Sequence, residues 1–460
     1  MAVDKRQSAG AARVRTALAR LGGFLPLLAA LLVSAAQAQD IPATWTRAGV
    51  PTPQALAMTS ALRTADSFGL RPQDYAEGWS VSPAAMGTAL ASSAAARFDL
   101  ALSAAAAHFL KDLHFGRVDP RAAGFDLRTP RAPLEIPTLL QLLKTTDNLD
   151  KVIASVEPHF LHYQLLKHAL ARYRMLASGA AAATIEEQRQ TPYAKRVRQI
   201  ELTLERWRWI PAFDTPPIIV NIPQFRLFAF HSTQDRRDEI LQMDVIVGKI
   251  YPRTQTPVFV ADMKYVVFRP YWDVPFSITQ REMLPAIRAN PDYLRKERLE
   301  LVQGQGDSAP VVPVSADSIA LLASGKLRLR QRPGADNALG LIKFILPNAY
   351  NVYLHSTPAH NLFRQSRRAF SHGCIRVSDP VALANFVLAD SQRPWTAASI
   401  EAAMQGRDNM RVNLIRPIRV LILYGTALAT EDGKTLFFND IYGHDLRLER
   451  LLRLPPVATH

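Results

Sequence analysis

Two rhythms of hydrophobic positions divide the chain near Pro211. Across 45–210 apolar residues recur at three- and four-residue intervals, as from Ala91 to Leu113 and from Phe160 to Leu170, which predicts packed helices. Asp119-Pro120, Thr129-Pro130 and Ile136-Pro137 break that layer into segments. The Ala-rich stretch 177–192 keeps no period and is expected to be a linker. A helix from Tyr193 to Trp209 then carries Leu202, Leu204, Trp207 and Trp209 toward the next domain. From Ile218 the pattern shortens to β-branched and aromatic runs: Ile218–Ile222, Arg226–Phe230, Met243–Val247, Tyr265–Phe268, Leu341–Leu346, Val352–His355 and Val420–Tyr424. Asp432-Gly433 marks a hairpin turn before Leu436-Phe437-Phe438. Ser277-Ile278-Thr279-Gln280 has the capping-box pattern that opens a helix, within an insertion running to about Arg332. Asp379-Pro380 predicts a helix with an aspartate cap and proline in its first turn.

These elements predict an α+β protein. A helical N-terminal scaffold covers 39–176, a linker and connecting helix 177–215, and a mainly-β domain with a sandwich or barrel-like sheet 216–430. The helical capping insertion 277–332 lies within that domain, and a C-terminal hairpin and helix, 431–460, complete the scaffold. Residues 1–38 stand apart. Four arginines and Lys5 precede an apolar run from Phe24 to Val33, followed by Ala36-Gln37-Ala38, a signal-peptide pattern with cleavage expected after Ala38. The mature protein is therefore expected to be exported.

Charge and cysteine usage sharpen this picture. The formal net charge is +15; removing the five basic residues and one acid of residues 1–38 leaves about +11. Such a surface suits an anionic partner, and for an exported protein an acidic cell-wall polymer fits better than nucleic acid. The chain has a single cysteine, Cys374. One thiol cannot staple a fold, so in an oxidising compartment it is intermolecular, incidental or catalytic. Taken alone, such a cysteine is more often a small buried residue than a nucleophile. Zinc is disfavoured, because no second cysteine and no His-Glu-x-x-His spacing is present, and no cofactor motif appears.

Cys374 lies in Ser371-His372-Gly373-Cys374-Ile375-Arg376, and His355 stands 19 positions upstream in Tyr353-Leu354-His355-Ser356-Thr357-Pro358. A histidine within reach of a thiol can take its proton and make it a nucleophile. Ser356 or a local carbonyl would orient that base, Gly373 allows a sharp turn, and the Gly373 and Cys374 N–H groups could hold an oxyanion. Arg376 is placed to meet a substrate carboxylate or to brace the loop.

The histidine, the interval and the Ser-His-Gly-Cys-apolar-Arg run together resemble the catalytic signature of the L,D-transpeptidases. Tyr353–Pro358, Ala369–Ser371, Tyr271–Pro275, Glu205–Trp209 and Gly116–Pro120 are similar to the large scaffold-bearing subgroup of Gram-negative envelopes. The resemblance implies Cys374 as nucleophile, His355 as base, Ser356 at the orienting position and His372 and Gly373 at the oxyanion site. It also implies Tyr353, Arg376 and Trp272 as substrate contacts and 277–332 as a cap over the cleft. The resemblance implies the periplasm as location. The implied partners are peptidoglycan tetrapeptide stems as donor and acceptor, joined 3→3 through a thioester, and envelope proteins. Carbapenem β-lactams are implied as covalent inhibitors. A water acceptor would instead make the protein an L,D-carboxypeptidase or amidase, and an idle active site would leave a peptidoglycan-binding scaffold. One departure stands out: between Ala177 and Arg196 there is no room for the small peptidoglycan-binding module common in that subgroup.

Overall fold

Helix Ser92–Phe115 shows how the first layer is built. Ala95, Phe98, Leu102, Ala106, Phe109, Leu110 and Leu113 are its buried positions, one stripe at helical spacing. Helices Pro53–Arg63, Ile136–Thr145 and Leu149–Val156 close over that stripe, giving an apolar cluster with Trp45, Met58, Leu62, Leu143 and Ile153. Thr52 caps the first of these through its side chain, with proline following at the first helical position. The computed structural model describes residues 44–79, 88–127, 133–232, 239–250, 254–391 and 394–454. The expected signal peptide and the Thr129-Pro130 break lie outside the described residues.

Helices Leu161–Ala177 and Tyr193–Arg208 belong to a different core. Tyr163, Leu166, Leu170, Tyr173, Ile200 and Leu204 join one cluster with the strands that follow. The expected linker between them holds a short helix, Ile185–Gln188, with a complete capping box from Thr184 and Glu187. The later turns of helix Tyr193–Arg208 are buried all round, arginines included. Arg208 pairs with Glu205 at 3.0 Å, and Arg206 pairs with Asp445 at 2.6 Å. Asp445 lies on the C-terminal helix His444–Leu451, which packs against helix Tyr193–Arg208 after the hairpin Ala427–Ala429/Thr435–Phe437.

The sheet is a closed ring. Its strands are β1 Ile218–Asn221, β2 Arg226–Ala229, β3 Leu241–Gly248, β4 Phe259–Phe268, β5 Ile342–Ile345, β6 Leu354–His355, β7 Ile375–Val377 and β8 Met410–Leu423. They pair in the order β3-β7-β6-β5-β4-β8-β1-β2, and β2 returns to β3 through Arg226 opposite Asp244. Closure leaves no unpaired barrel edge, and eight strands make a ring that side chains can fill. The β6–β7 and β8–β1 pairs are parallel and the other pairs of the ring antiparallel, and a ninth short strand, Ala369–Ser371, joins the sheet parallel to β3 at Val247 and Gly248. Ile342, Phe344, Leu354, Ile375 and Val377 point into the shared core. By strand alternation the intervening Lys343, His355 and Arg376 point to the opposite face.

Residues 272–332 form a subdomain between β4 and β5 that contains a small sheet as well as helices. Strands Trp272–Asp273, Arg328–Gln331, Leu299–Val302 and Val311–Val312 pair in that order. Val274, Leu284, Ile287, Leu301, Leu322 and Leu329 form its separate core. Its first helix begins at Phe276, two residues earlier than the Ser277 pattern predicts. Pro275 is the N-cap, no side-chain cap forms, and Thr279–Met283 adopts a π turn. The Ser277 capping box is therefore not used.

Candidate active site

The strand register assembles the site. Lys343 stands opposite His355 across β5 and β6, and His355 opposite Arg376 across β6 and β7. Side chains paired this way share a face, so the three form one row, with the imidazole between two cations. The N–H of Ile375 donates to the Tyr353 carbonyl at 3.0 Å, which carries the β6–β7 register one residue further. Tyr353 and Cys374 therefore lie side by side on the same face, next to the row. Cys374 keeps some exposed surface, and its Sγ lies 3.6 Å from the Asn351 carbonyl. The Tyr353 ring meets His355 edge-on, with centroids 5.8 Å apart.

His355 is buried, and its Nδ1 lies 2.6 Å from the Ser356 carbonyl oxygen. A carbonyl can only accept, so Nδ1 carries the hydrogen and Nε2 is left as the basic nitrogen. The orienting group is thus the backbone of Ser356. Its hydroxyl serves the loop instead, accepting from the Leu341 N–H at 2.8 Å and donating to the Leu339 carbonyl at 3.2 Å.

The nucleophile turn is held from below. Ser371 Oγ donates to the Cys374 carbonyl and accepts the Gly373 N–H at 3.2 Å. That N–H is therefore already engaged. Gly373 has φ +117°, a conformation that side chains resist. Its carbonyl accepts from Thr256 Oγ1 at 2.8 Å, and Thr256 Oγ1 accepts the Gly248 N–H at 2.9 Å. Tyr442 completes the chain, donating to the Gly248 carbonyl at 2.7 Å and accepting the Thr256 N–H at 3.2 Å. In a trans peptide the carbonyl and N–H point in opposite directions. Fixing the Gly373 carbonyl on Thr256 therefore turns the Cys374 N–H to the opposite side, where it has no protein acceptor among the described residues. Of the two expected oxyanion donors, only this N–H is free.

His372 and Trp272 are placed elsewhere. The His372 ring reaches the cap, with Nε2 2.7 Å from Glu282 Oε1 on the π turn, so its side chain ties the cap to the nucleophile turn. Trp272 lies on the cap's own sheet and packs against its core. Sequence patterns did not point to Lys343, Thr256, Glu282 or Tyr442. Only Lys343 left a signal, a lone charge in the apolar run Leu341–Leu346.

The environment sets the resting protonation states. Burial pushes the Cys374 thiol up to about 11, against the opposing pull of Tyr353 hydrogen bonds and then of Arg376 and Lys343. Burial lowers His355 to about 3, and Arg376 adds to this, while the Ser356 and Leu339 carbonyls oppose it. At neutral pH Cys374 is therefore a neutral thiol and His355 a neutral imidazole, both on the same face of β6 and the turn before β7.

Residues 216–407 match the YkuD family, described as the L,D-transpeptidase catalytic domain. Residues 34–170 match the scaffold domain. A protein of Haemophilus influenzae carrying the name "Putative L,D-transpeptidase" is 32% identical over 251 residues, covering 55% of this chain and 49% of that relative. The match thus spans about half the relative's length.

Proposed function

Because this chain belongs to the L,D-transpeptidase family, with the catalytic domain following a scaffold domain, we propose that it forms 3→3 cross-links in peptidoglycan through a thioester on Cys374. The observation that carries the reading is the placement of Cys374 and His355 on one sheet face, with the Cys374 N–H left without an acceptor among the described residues. In the first half-reaction His355 Nε2 takes the thiol proton as Sγ attacks the carbonyl at the L-centre of diaminopimelate. The Cys374 N–H receives the developing oxyanion. Collapse breaks the C–N bond, and His355 returns the proton to the departing D-Ala amine. In the second half, an amine of another stem loses a proton to His355 and attacks the thioester, and Cys374 leaves as the thiol.

The cap supports amine over water as acceptor. Glu282 holds it against His372, next to the nucleophile, and a covered cleft disfavours hydrolysis of the thioester. The arginine-rich start, the apolar run and Ala36-Gln37-Ala38 support export to the periplasm, where the stems are found. Carbapenem β-lactams would acylate the same thiol.

Product analysis tests this. Incubated with disaccharide-tetrapeptide, the protein should yield a cross-linked dimer lacking one D-Ala, detected by mass spectrometry and absent with Cys374→Ala. Tripeptide alone would identify water as the acceptor and replace the transpeptidase by an L,D-carboxypeptidase. Equal products from Cys374→Ala would leave the thiol without a role.

A further inference from the structure

Two cations flank His355 without a carboxylate of their own. Lys343 and Arg376 occupy the neighbouring positions of its row on β5 and β7. Among the described residues neither forms an ion pair. Lys343 Nζ donates to the Tyr271 carbonyl at 3.3 Å, and Arg376 Nε is buried with no partner. Of the acids whose charge Lys343 feels, Asp307 comes first, an exposed residue of the cap that forms no ion pair with it, and Asp273 is committed to Arg328 at 2.6 Å. Cations partly withdrawn from water are costly unless paired, so two half-buried ones on one row form a place prepared for an anion that arrives from outside.

The proposed reaction says which anion. His355 must protonate the amine that leaves. In an α-amino acid the carboxylate is one carbon from that amine, so it must come to rest beside His355 on the same row. We propose that Lys343 and Arg376 together seat the α-carboxylate of the departing C-terminal residue, and so restrict cleavage to the last residue of the stem. This rests on the transpeptidase reading above. It makes Lys343, which lies outside the His…Ser-His-Gly-Cys-x-Arg signature, a determinant of donor specificity. A donor one residue longer carries its carboxylate beyond the seat, and a terminal carboxamide removes the charge.

The test compares two donors, a disaccharide-tetrapeptide with a free C-terminal acid and its carboxamide, by kcat/KM for release of the last residue. A site built around a charged group rejects the analogue lacking it, so the wild-type protein should prefer the acid on the order of 100-fold. Lys343→Met should cut that preference to below about tenfold, while Lys343→Arg should keep most of it. Equal use of both donors by the wild-type protein overturns the seat and leaves the transpeptidase standing. Release from neither donor removes the seat and the transpeptidase together. Should Lys343→Met slow both donors equally, with the preference unchanged, Lys343 acts on the thiol or the fold and not on the carboxylate. A Lys343→Met protein that does not fold leaves the wild-type comparison and Lys343→Arg to decide.

Discussion

In the proposed reaction His355 acts as the base, and its surroundings keep it from being an acid at rest. Its imidazole is lowered to about 3 and the Cys374 thiol raised to about 11, both chiefly by burial. Neither group changes charge by itself across the neutral range. The thiolate is therefore formed in the act of attack, by transfer to Nε2, and acylation should be flat from about pH 5 to about pH 9. An acid limb centred near the ordinary histidine value, or a rise near the ordinary thiol value, would contradict this in a kcat/KM–pH profile. His355→Ala should lower acylation by about 10²- to 10⁴-fold at neutral pH. The same variant should restore a rise toward high pH, because the thiol must then ionise unaided. Cys374, His355 and Gly373 stood out in the sequence because their residue types and spacing suggest the proposed chemistry, and the strand register places them together. Lys343 and Thr256 did not stand out, since their roles come from register and from a hydrogen bond across 117 positions.

At the level of elements, the turn before β7 is a device for aiming one N–H. Its anchor is Thr256, whose hydroxyl satisfies both the Gly373 carbonyl and the Gly248 N–H. Thr256→Val keeps the shape and removes the anchor. Loss of an oriented oxyanion donor costs up to about 10²- to 10³-fold in kcat. A displaced donor should cost less, so we expect a fall of about 10- to 100-fold with folding retained, read from acylation rate and thermal melting together. An unchanged rate would mean that the Gly373 carbonyl needs no anchor. The positions of the strands were largely legible, because alternation is a local signal. Their lengths and closure were not. Only the end of β8 was read, as Val420–Tyr424, although the strand starts at Met410. Its first half carries Arg411, Arg416 and Pro417, and its pairing with β4 shifts register between Asn413 and Ile418. The Ser277 capping box misled for a related reason: Pro275 starts the helix first, from a chain direction set by the cap's sheet.

For the whole molecule, the helical half and the barrel half are joined by more than a linker. Helices Leu161–Ala177 and Tyr193–Arg208 share the barrel's core, whereas helix Ser92–Phe115 and its neighbours have their own. An apolar stripe states that a helix is buried and not against what, so the sequence pattern grouped all of them in one layer. The C-terminal segment adds a second tie. Asp445 neutralises the buried Arg206, and Tyr442 reaches the strand end beneath the nucleophile turn. The C-terminal segment and the cap thus both reach the turn that carries Cys374, through Tyr442 and Glu282, where the account places a cysteine acyl-enzyme. The most direct measurement of that claim is intact-protein mass after rapid acid quenching during turnover of a tetrapeptide donor. The account predicts an adduct on Cys374 equal to the donor less its terminal D-Ala, discharged when an acceptor amine is added. Turnover without such an adduct, continuing in Cys374→Ala, would contradict it.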